Sequence, residues 1–481
     1  MRMMVMLSAA GLFAASLDVR LVDAVKKSDK AAIRALLQQR IDVNAPEANG
    51  ATALHWAVDL DDVAIADLLI RSGANVKAAN RYGVTPLSLA CTNGSAAIIE
   101  LLLKAGADPN TMLAEGETAL MTAARTGKVD AIKVLLAHGA NVKAQEAWRG
   151  QTALMWAAAE GHVAAVEMLI EFGADIHARS KGGFTPLLFA VREGKAGVVR
   201  SLLKAGANVN ETMQGNARTA GTSAMGLAVS NAHFELASML LDAGADPNAA
   251  AQGWTALHTL TWVRRPGYAS NDPAPPGSGN MDSLELARRL VAHGAKVNAR
   301  MTKRVNVGLT SLNTIGATPF LLAARTGDAE FMRLLAQLGA DPLLPNADNT
   351  TPLMVAAGVG TRSPGEDAGT EPEVLEAVKV AWELGNNLDA VDNYGETAMH
   401  GAAYKWMPSA VQFLADKGAN LEVWNRKNKN GWTPLRIAAG VHRGMNLRAS
   451  PETAAGLRKI MTAAGASTVV EPEAAISGVT R

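Results

Sequence analysis

Residues 150–183 read GQTALMWAAAEGHVAAVEMLIEFGADIHARSKGG, and variants of this stretch recur along most of the chain. Its first element, Gly-x-Thr-(Pro/Ala), recurs at intervals of 33, 33, 34 and 33 residues over the first five copies. A second element, Gly-Ala-(Asn/Asp), begins 21 residues after the threonine. The threonine stands at Thr52, Thr85, Thr118, Thr152, Thr185, Thr255, Thr318, Thr351, Thr397 and Thr433, and Ser223 replaces it once. A fixed period of this length indicates a stack of similar structural units.

The recurring residues have the properties needed at the ends of two helices. Threonine caps the first, inner helix through its hydroxyl, and a proline at the next position, as in Pro86, loses no hydrogen bond there. Glycines such as Gly106 end the second, outer helix, where the backbone turns left-handed. The residues that follow form a hairpin-like finger. One such unit cannot bury its own apolar face, so neighbouring units must stack.

The 33-residue period with its Thr-Pro-Leu and Gly-Ala-(Asn/Asp) elements resembles the ankyrin repeat. The resemblance covers residues 17–466 in about twelve copies, and it implies an all-α ankyrin-repeat α-solenoid with β-hairpin fingers. We interpret the first copy, 17–49, and the last, 431–466, as caps, because the first lacks the Thr-Pro element and the last ends on Arg458 and Lys459. The resemblance also implies protein partners and no shared active site, which is an expectation from the fold alone.

Four insertions interrupt the period, near residues 263–281, 301–313, 359–372 and 441–451. Three of them separate an inner from an outer helix in alternate repeats, which predicts that they emerge on one edge of the solenoid. The remaining insertion, near residues 301–313, extends a finger. They are either neutral extensions, which loops tolerate, or a functional rim. Residues 467–481 are expected to form a disordered tail.

The N-terminus has two interpretations. Residues 1–16 combine Arg2, an apolar stretch and a small-residue site at Ala14-Ala15-Ser16, which predicts a cleaved signal peptide and a periplasmic or secreted protein. The alternative is a hydrophobic first helix of a cytoplasmic solenoid. No run of 18 apolar residues appears, so the sequence predicts no membrane span.

Composition excludes several classes of function. The 46 basic and 45 acidic residues leave a formal charge of +1, which argues against a general polyanion binder, since such a protein carries a strong basic excess. The single cysteine, Cys91, forms no internal disulfide and no thiolate metal site, and no cofactor motif is present. A basic stretch between Val423 and Pro451 includes Trp424 and Trp432, and we interpret it as a solvated or protein-contacting face rather than a nucleic-acid site.

The histidines give little support for catalysis. His55, His258 and His400 occupy a fixed Thr-x-Leu-His or Thr-x-Met-His position of the repeat, and the sequence has no metal or nucleophile motif. We therefore expect no enzymatic activity. The rival hypothesis is an enzyme that uses His177 or His442, which lie outside the repeat pattern, with carboxylates of the insertions.

Binding residues are predicted at the fingertips and at the ends of the inner helices, because arginine and aromatic residues dominate binding hot spots. The predicted partner-binding residues are Tyr82, Trp148, Arg149, Phe184, Arg192, Trp254, Trp262, Tyr394, Tyr404 and Trp432. Arg125 and Arg325 share the helix-end position. The alternative is that these aromatic side chains pack on neighbouring fingers and the arginines are only solvated.

The tryptophans favour repeats seven to twelve as the binding region. Trp254, Trp262 and Trp432 lie there together with the long insertions. Trp56 and Trp156, in contrast, stand where the repeat expects leucine, and we predict that they pack in the core. The resulting hypothesis is a non-catalytic protein-interaction scaffold that uses fingertips and the concave inner-helix face. The alternative is a binder of a small molecule or glycan in the tryptophan-rich C-terminal groove.

Overall fold

A computed structural model describes residues 18–113, 115–215, 220–266, 275–305, 310–362, 364–365, 367–443 and 446–470, with the backbone alone at 442, 443 and 446. The predicted signal peptide, 1–16, and residues 471–481 of the predicted tail lie outside the described residues. Both therefore stay predictions. Contacts between α-carbons divide the chain into two compact units, one ending at Ala207 and the other beginning at Asn208.

Unit 1 contains six pairs of antiparallel helices within the described residues, as the repeat predicts. The inner helices are α1 (Arg20–Lys26), α3 (Ala53–Asp59), α5 (Pro86–Asn93), α7 (Ala119–Thr126), α9 (Ala153–Glu160) and α11 (Pro186–Arg192). The outer helices are α2 (Lys30–Gln38), α4 (Val63–Arg71), α6 (Ala96–Lys104), α8 (Val129–Ala137), α10 (Val163–Glu171) and α12 (Ala196–Lys204).

Unit 2 contains six further pairs in its described part. The inner helices are α13 (Ala224–Ser230), α15 (Ala256–Arg264), α17 (Pro319–Arg325), α19 (Pro352–Ala357), α21 (Ala398–Lys405) and α24 (Pro434–Ala439). The outer helices are α14 (Phe234–Asp242), α16 (Ser283–Ala292), α18 (Ala329–Gln337), α20 (Glu371–Glu383), α22 (Pro408–Asp416) and α25 (Pro451–Ala463). A one-turn helix, α23 (Leu421–Trp424), lies in a finger, and strands β1 (Val441–Arg443) and β2 (Asn446–Arg448) form an antiparallel hairpin.

Within each unit, inner helices pack on inner helices and outer helices on outer helices of the next repeat. The threonines cap the inner helices as expected; Thr185 Oγ1, for example, accepts a hydrogen bond from the Leu188 N–H at 3.2 Å. The apolar residues that follow are fully buried, as Leu154 and Leu169 illustrate. The all-α stacked fold is therefore confirmed, because short-range capping and apolar spacing determine each unit and its neighbours cover it.

The insertions of unit 2 contact one another. The finger extension reaches the loop between α19 and α20, where the Thr310 hydroxyl donates to the Gly360 carbonyl at 2.9 Å. Arg265, in the loop after α15, pairs with Glu373 in the first turn of α20. The β1–β2 hairpin fills the insertion between α24 and α25. Among the described residues, no helix is both long and apolar enough to cross a membrane.

Candidate functional site

A groove lies between the fingers and the inner helices of unit 1. We name it the unit 1 groove; it has a volume of about 300 Å³. Its walls come from two fingers and from α7, α9 and α11, and they include Glu115, Glu117, Arg125, Glu146, Trp148, Arg149, Gln151, Trp156, Glu160, Phe189 and Arg192. Three residues of the predicted partner-binding set, Trp148, Arg149 and Arg192, therefore line one cavity.

Arginines cover the aromatic rings of this groove. The Arg149 guanidinium lies 4.0 Å from the ring centroid of Trp148, and that of Arg125 lies 5.5 Å from Trp156. The Arg192 guanidinium contacts both Phe184 and Phe189, at 4.9 and 5.1 Å from their centroids. Such contacts contribute about 0.5–1 kcal/mol each at exposed sites. They also hold the guanidinium groups in place at the surface.

Exposure distinguishes the predicted fingertip residues. Tyr82 is 77% exposed and Trp148 is 66% exposed, whereas Phe184 is half-buried against Phe189. Tryptophan and tyrosine are residue types enriched in the hot spots of protein interfaces. The exposed fingertip aromatics of unit 1 thus fit a contact surface, and Phe184 fits packing between finger and helix.

Glu146 holds the finger that carries Trp148 and Arg149. Its buried carboxylate accepts hydrogen bonds from the backbone N–H groups of Trp148 at 2.6 Å, Arg149 at 2.7 Å and Gln151 at 2.9 Å. Burial alone raises the pKa of Glu146, but these N–H groups outweigh it and lower the pKa below its ordinary value. The repeat pattern of the sequence did not point to Glu146, because its role depends on the backbone N–H groups that this finger turns towards it.

The prediction that Trp56 and Trp156 pack in the core is wrong. Both are half-buried, and Trp156 lines the unit 1 groove. The fourth residue after the threonine faces the preceding repeat's helix end, whereas Leu154 and Ala157 take the fully buried positions. The indole Nε1 of Trp156 is buried without a hydrogen-bond partner among the described residues.

Unit 2 has a larger cavity, which we name the unit 2 pocket, of about 550 Å³. Fingers and the two contacting insertions line it, with Arg304, Ser311, Asn313, Asp348, Thr350, Arg362, Asp392, Tyr394, Glu396, Asn430 and Trp432 among the residues. Tyr394 is exposed and Trp432 is half-buried. Burial raises the pKa of Asp392 despite hydrogen bonds from the backbone N–H groups of Glu396 and Tyr394.

Two predicted binding positions of unit 2 are buried instead. Tyr404 is only 5% exposed; its hydroxyl donates to Glu396 at 2.9 Å and accepts from the Asn428 side chain at 2.9 Å. Arg325 is also buried and pairs with Asp367 at 2.8 Å. Fingers cover the tyrosine and the 359–372 insertion covers the arginine, so neither presents a contact surface.

The remaining predicted residues, Trp254 and Trp262, contact each other. Their rings meet edge to face at 6.1 Å between centroids, and both are half-buried. This geometry fits the alternative of packing between a finger and its own inner helix. The structure does not bring either residue into the unit 1 groove or the unit 2 pocket.

The side chains considered for catalysis either form structural hydrogen bonds or lie apart from one another. In each of the three repeat histidines the Nδ1 atom accepts the backbone N–H of the capping threonine, as in His55 with Thr52 at 3.1 Å. The side chain of His177 is exposed, and that of His442 lies outside the description. Cys91 is buried, which raises the pKa of its thiol. The described residues contain no group of three or more His, Cys, Asp or Glu side chains arranged for a metal.

Comparisons with known proteins give one family. The model for ankyrin repeats in three copies matches residues 21–113, 106–180, 141–213 and 187–265, and the single ankyrin-repeat model matches 315–347. Among solved structures, the human ASB11 ankyrin repeat domain is 31% identical, over 43% of this chain and 90% of that one, with a TM-score of 0.39. No curated protein matches the chain significantly.

Proposed function

We propose that this chain, which belongs to the ankyrin-repeat family, is a non-catalytic scaffold that binds a protein partner in the unit 1 groove. The ankyrin-repeat family implies an interaction domain without a shared active site. One observation carries the choice of surface: the exposed ring of Trp148 beneath the Arg149 guanidinium at 4.0 Å, at the mouth of a cavity. Tryptophan, tyrosine and arginine are the residues enriched in binding hot spots.

The proposal of a non-catalytic role rests on how the polar groups are used. The repeat histidines satisfy helix ends, and Glu146 caps a finger. Each of these groups has a structural task that a catalytic proton transfer would disturb. Catalysis needs a nucleophile, a base and an orienting group within hydrogen-bond reach of one another.

Site-specific photo-crosslinking in the native host tests the surface. A benzophenone amino acid replaces Tyr82 or Trp148, and in a matched control it replaces Phe172, which is 43% exposed at the end of outer helix α10. We expect the two fingertip positions to crosslink the same protein and position 172 to crosslink none of it. Trp148→Ala with Arg149→Ala should then weaken binding of that protein by about thirtyfold or more, the loss expected from truncating one hot-spot residue.

Crosslinks of equal yield from position 172, or a partner whose affinity is unchanged in the double variant, would remove the unit 1 groove from the proposal. In that case repeats seven to twelve, favoured by the sequence, become the region to map by the same method.

A small molecule or glycan in the unit 2 pocket is the second candidate function. Its volume of about 550 Å³ is in the range of ligand sites, and Trp432 and Tyr394 provide aromatic surface beside Asp348 and Asn430. A thermal-shift screen with mono- and disaccharides tests it. A stabilising sugar whose effect disappears in Trp432→Ala supports this function, and no stabilisation by any sugar rejects the glycan form of it.

Export of the protein stays a proposal as well. It rests only on the apolar segment at residues 1–16. N-terminal sequencing of the protein from its native host should find a mature start near Leu17, and an intact Met1 would contradict export by a cleaved signal.

A further inference from the structure

Two tryptophans at equivalent repeat positions differ in one hydrogen bond. Trp56 and Trp156 each follow a capping threonine by four residues, on α3 and α9. Each ring lies beneath a cation from the end of the preceding inner helix. The Lys26 Nζ atom is 4.2 Å from the Trp56 centroid, and the Arg125 guanidinium is 5.5 Å from that of Trp156.

A carboxylate completes the first of these clusters. The Trp56 indole Nε1 donates to Glu47 Oε2 at 2.8 Å, and the other carboxylate oxygen of Glu47 pairs with Lys26. Burial alone raises the pKa of Glu47, yet hydrogen bonds from Lys26 and Trp56 outweigh it and lower the pKa. The indole N–H and the cation are thus bridged by one carboxylate.

The second cluster has the same tryptophan and cation, but its own carboxylate is used elsewhere. Glu146 stands at the finger position of Glu47, since each donates its backbone N–H to the residue before the capping threonine, Gln151 at 3.0 Å and Ala51 at 2.8 Å. The finger of Glu146 is one residue longer, and its carboxylate accepts three backbone N–H groups of that finger. This leaves the buried Trp156 Nε1 without a partner among the described residues, and an unsatisfied buried donor is destabilising.

The other charges of the groove do not fill this role. Glu117 accepts a hydrogen bond from the Thr122 hydroxyl at 2.7 Å and lies 3.7 Å from Arg125. Glu115 and Glu160 are exposed at the groove's walls. The Arg125 side chain is 46% exposed and lines the groove beside Trp156, so its guanidinium is accessible to a group that enters the groove.

We propose that a carboxylate of the protein partner, from an aspartate or glutamate side chain, binds between Trp156 Nε1 and Arg125. It takes the position that Glu47 holds between Trp56 and Lys26. The inference rests on the proposed function and specifies it: the partner segment in the unit 1 groove presents an aspartate or glutamate side chain at this point. The partner's carboxylate would accept the hydrogen bond of the Trp156 indole and pair with Arg125, so that one group satisfies both the buried donor and the cation.

Indole N–H signals of the full chain, labelled with ¹⁵N-tryptophan, test the inference directly. Trp156→Phe and Trp56→Phe assign the two signals among the nine tryptophans. The probe is hexaglutamate, acetylated at its N-terminus and amidated at its C-terminus. A glycine–serine hexapeptide with a free C-terminus is the control that distinguishes a terminal from a side-chain carboxylate. We expect hexaglutamate to shift the Trp156 signal and leave the Trp56 signal in place.

Two variants sharpen the outcome. Arg125→Met retains the apolar stem and should weaken hexaglutamate binding about tenfold, the effect of losing one charge-assisted hydrogen bond. Glu47→Ala removes the internal carboxylate, so the Trp56 signal should now respond to hexaglutamate as the Trp156 signal does.

The inference is overturned if hexaglutamate leaves the Trp156 signal unmoved, if the glycine–serine peptide moves it equally through its terminal carboxylate, or if Arg125→Met binds hexaglutamate as tightly as the parent. Each result is separable from the proposed function. Crosslinks at Trp148 with an unresponsive Trp156 retain the scaffold and reject the carboxylate contact. A responsive Trp156 without groove crosslinks retains the carboxylate site and rejects the groove as the partner's surface.

Discussion

The Nε2 atom of His258 lies 3.2 Å from the carbonyl oxygen of Ala317, and this hydrogen bond joins inner helix α15 to the finger of the following repeat. Because Nδ1 accepts the backbone N–H of Thr255, the ring is neutral and its proton is on Nε2. His55 and His400 make the same pair of bonds, to the carbonyls of Val84 and Arg426. These histidines link successive repeats within each unit.

Acid should weaken this linkage. Burial lowers the pKa of His258 and of His400 to about 4, from an ordinary 6.5. The unfolded chain therefore binds protons that the folded chain does not, between pH 6.5 and 4. We expect the free energy of unfolding to be constant just above pH 7 and to fall as the pH drops through this window, by on the order of 3 kcal/mol per histidine.

Urea unfolding at pH 7.5 and 4.5 measures this dependence. His258→Gln with His400→Gln retains a side-chain acceptor for the threonine N–H and cannot be protonated, so the double variant should lose most of the dependence. An unchanged fall in the urea midpoint would assign the acid sensitivity to other groups. Carboxylates such as Glu373, with its pKa lowered to about 2, lose their stabilising effect below this window.

Lys405 should destabilise the protein at neutral pH. It is buried, donates to the Ala368 carbonyl at 2.8 Å, and burial lowers its pKa to about 8 despite the nearby Asp367 carboxylate. The unfolded lysine stays protonated up to about pH 10.5, so the penalty is full below pH 8 and disappears as the pH rises from 8 to 10.5. Lys405→Met should stabilise by about 1–3 kcal/mol at pH 7 and by much less at pH 10. Denaturant unfolding at both values checks this, and destabilisation at both would show that the ammonium group is needed for packing.

Of the two carboxylates that contact Arg264, Asp328 should contribute far more to the stability of the fold than Glu330. Its guanidinium contacts Asp328 at 2.7 Å, where the carboxylate is fully buried and also caps α18, and it contacts Glu330 at 3.1 Å, where the side chain is 70% exposed. Asp328→Ala should cost about 3–5 kcal/mol, because it removes the helix cap and leaves the mostly buried guanidinium of Arg264 paired with an exposed carboxylate instead of a buried one. Glu330→Ala, the matched control on the same arginine, should cost less than about 1 kcal/mol. Equal losses in urea unfolding would contradict this account.

The repeat fold was predictable because its determinants are local. The threonine caps, the glycine ends and the apolar spacing act within one unit, and identical units stack in one way. The burial of a side chain was not predictable where an insertion or a neighbouring finger covers it. Arg325 is buried because Asp367 of an insertion covers it, and Tyr404 because Asn428 of the next finger bonds its hydroxyl. The core position predicted for Trp156 is wrong for a related reason. The repeat register predicts which side of the helix a residue is on, but not which neighbouring segments cover that side.

The surroundings of two helical glycines in unit 2 give opposite predictions for the effect of alanine. A methyl group added at Gly401 of α21 would lie 2.6 Å from the Val359 backbone nitrogen and 3.0 Å from the Met354 carbonyl oxygen, so α19 prevents any side chain there. A methyl group at Gly456 of α25 would meet only a Val411 side-chain carbon, at 4.0 Å. Gly456→Ala should therefore stabilise the protein by about 0.5–1 kcal/mol through helix propensity alone. Gly401→Ala should destabilise it by about 1–3 kcal/mol, because the overpacked inner helices must separate. Urea unfolding of the two variants measures the difference, and a Gly401→Ala protein as stable as the parent would show that the inner helices move apart without loss.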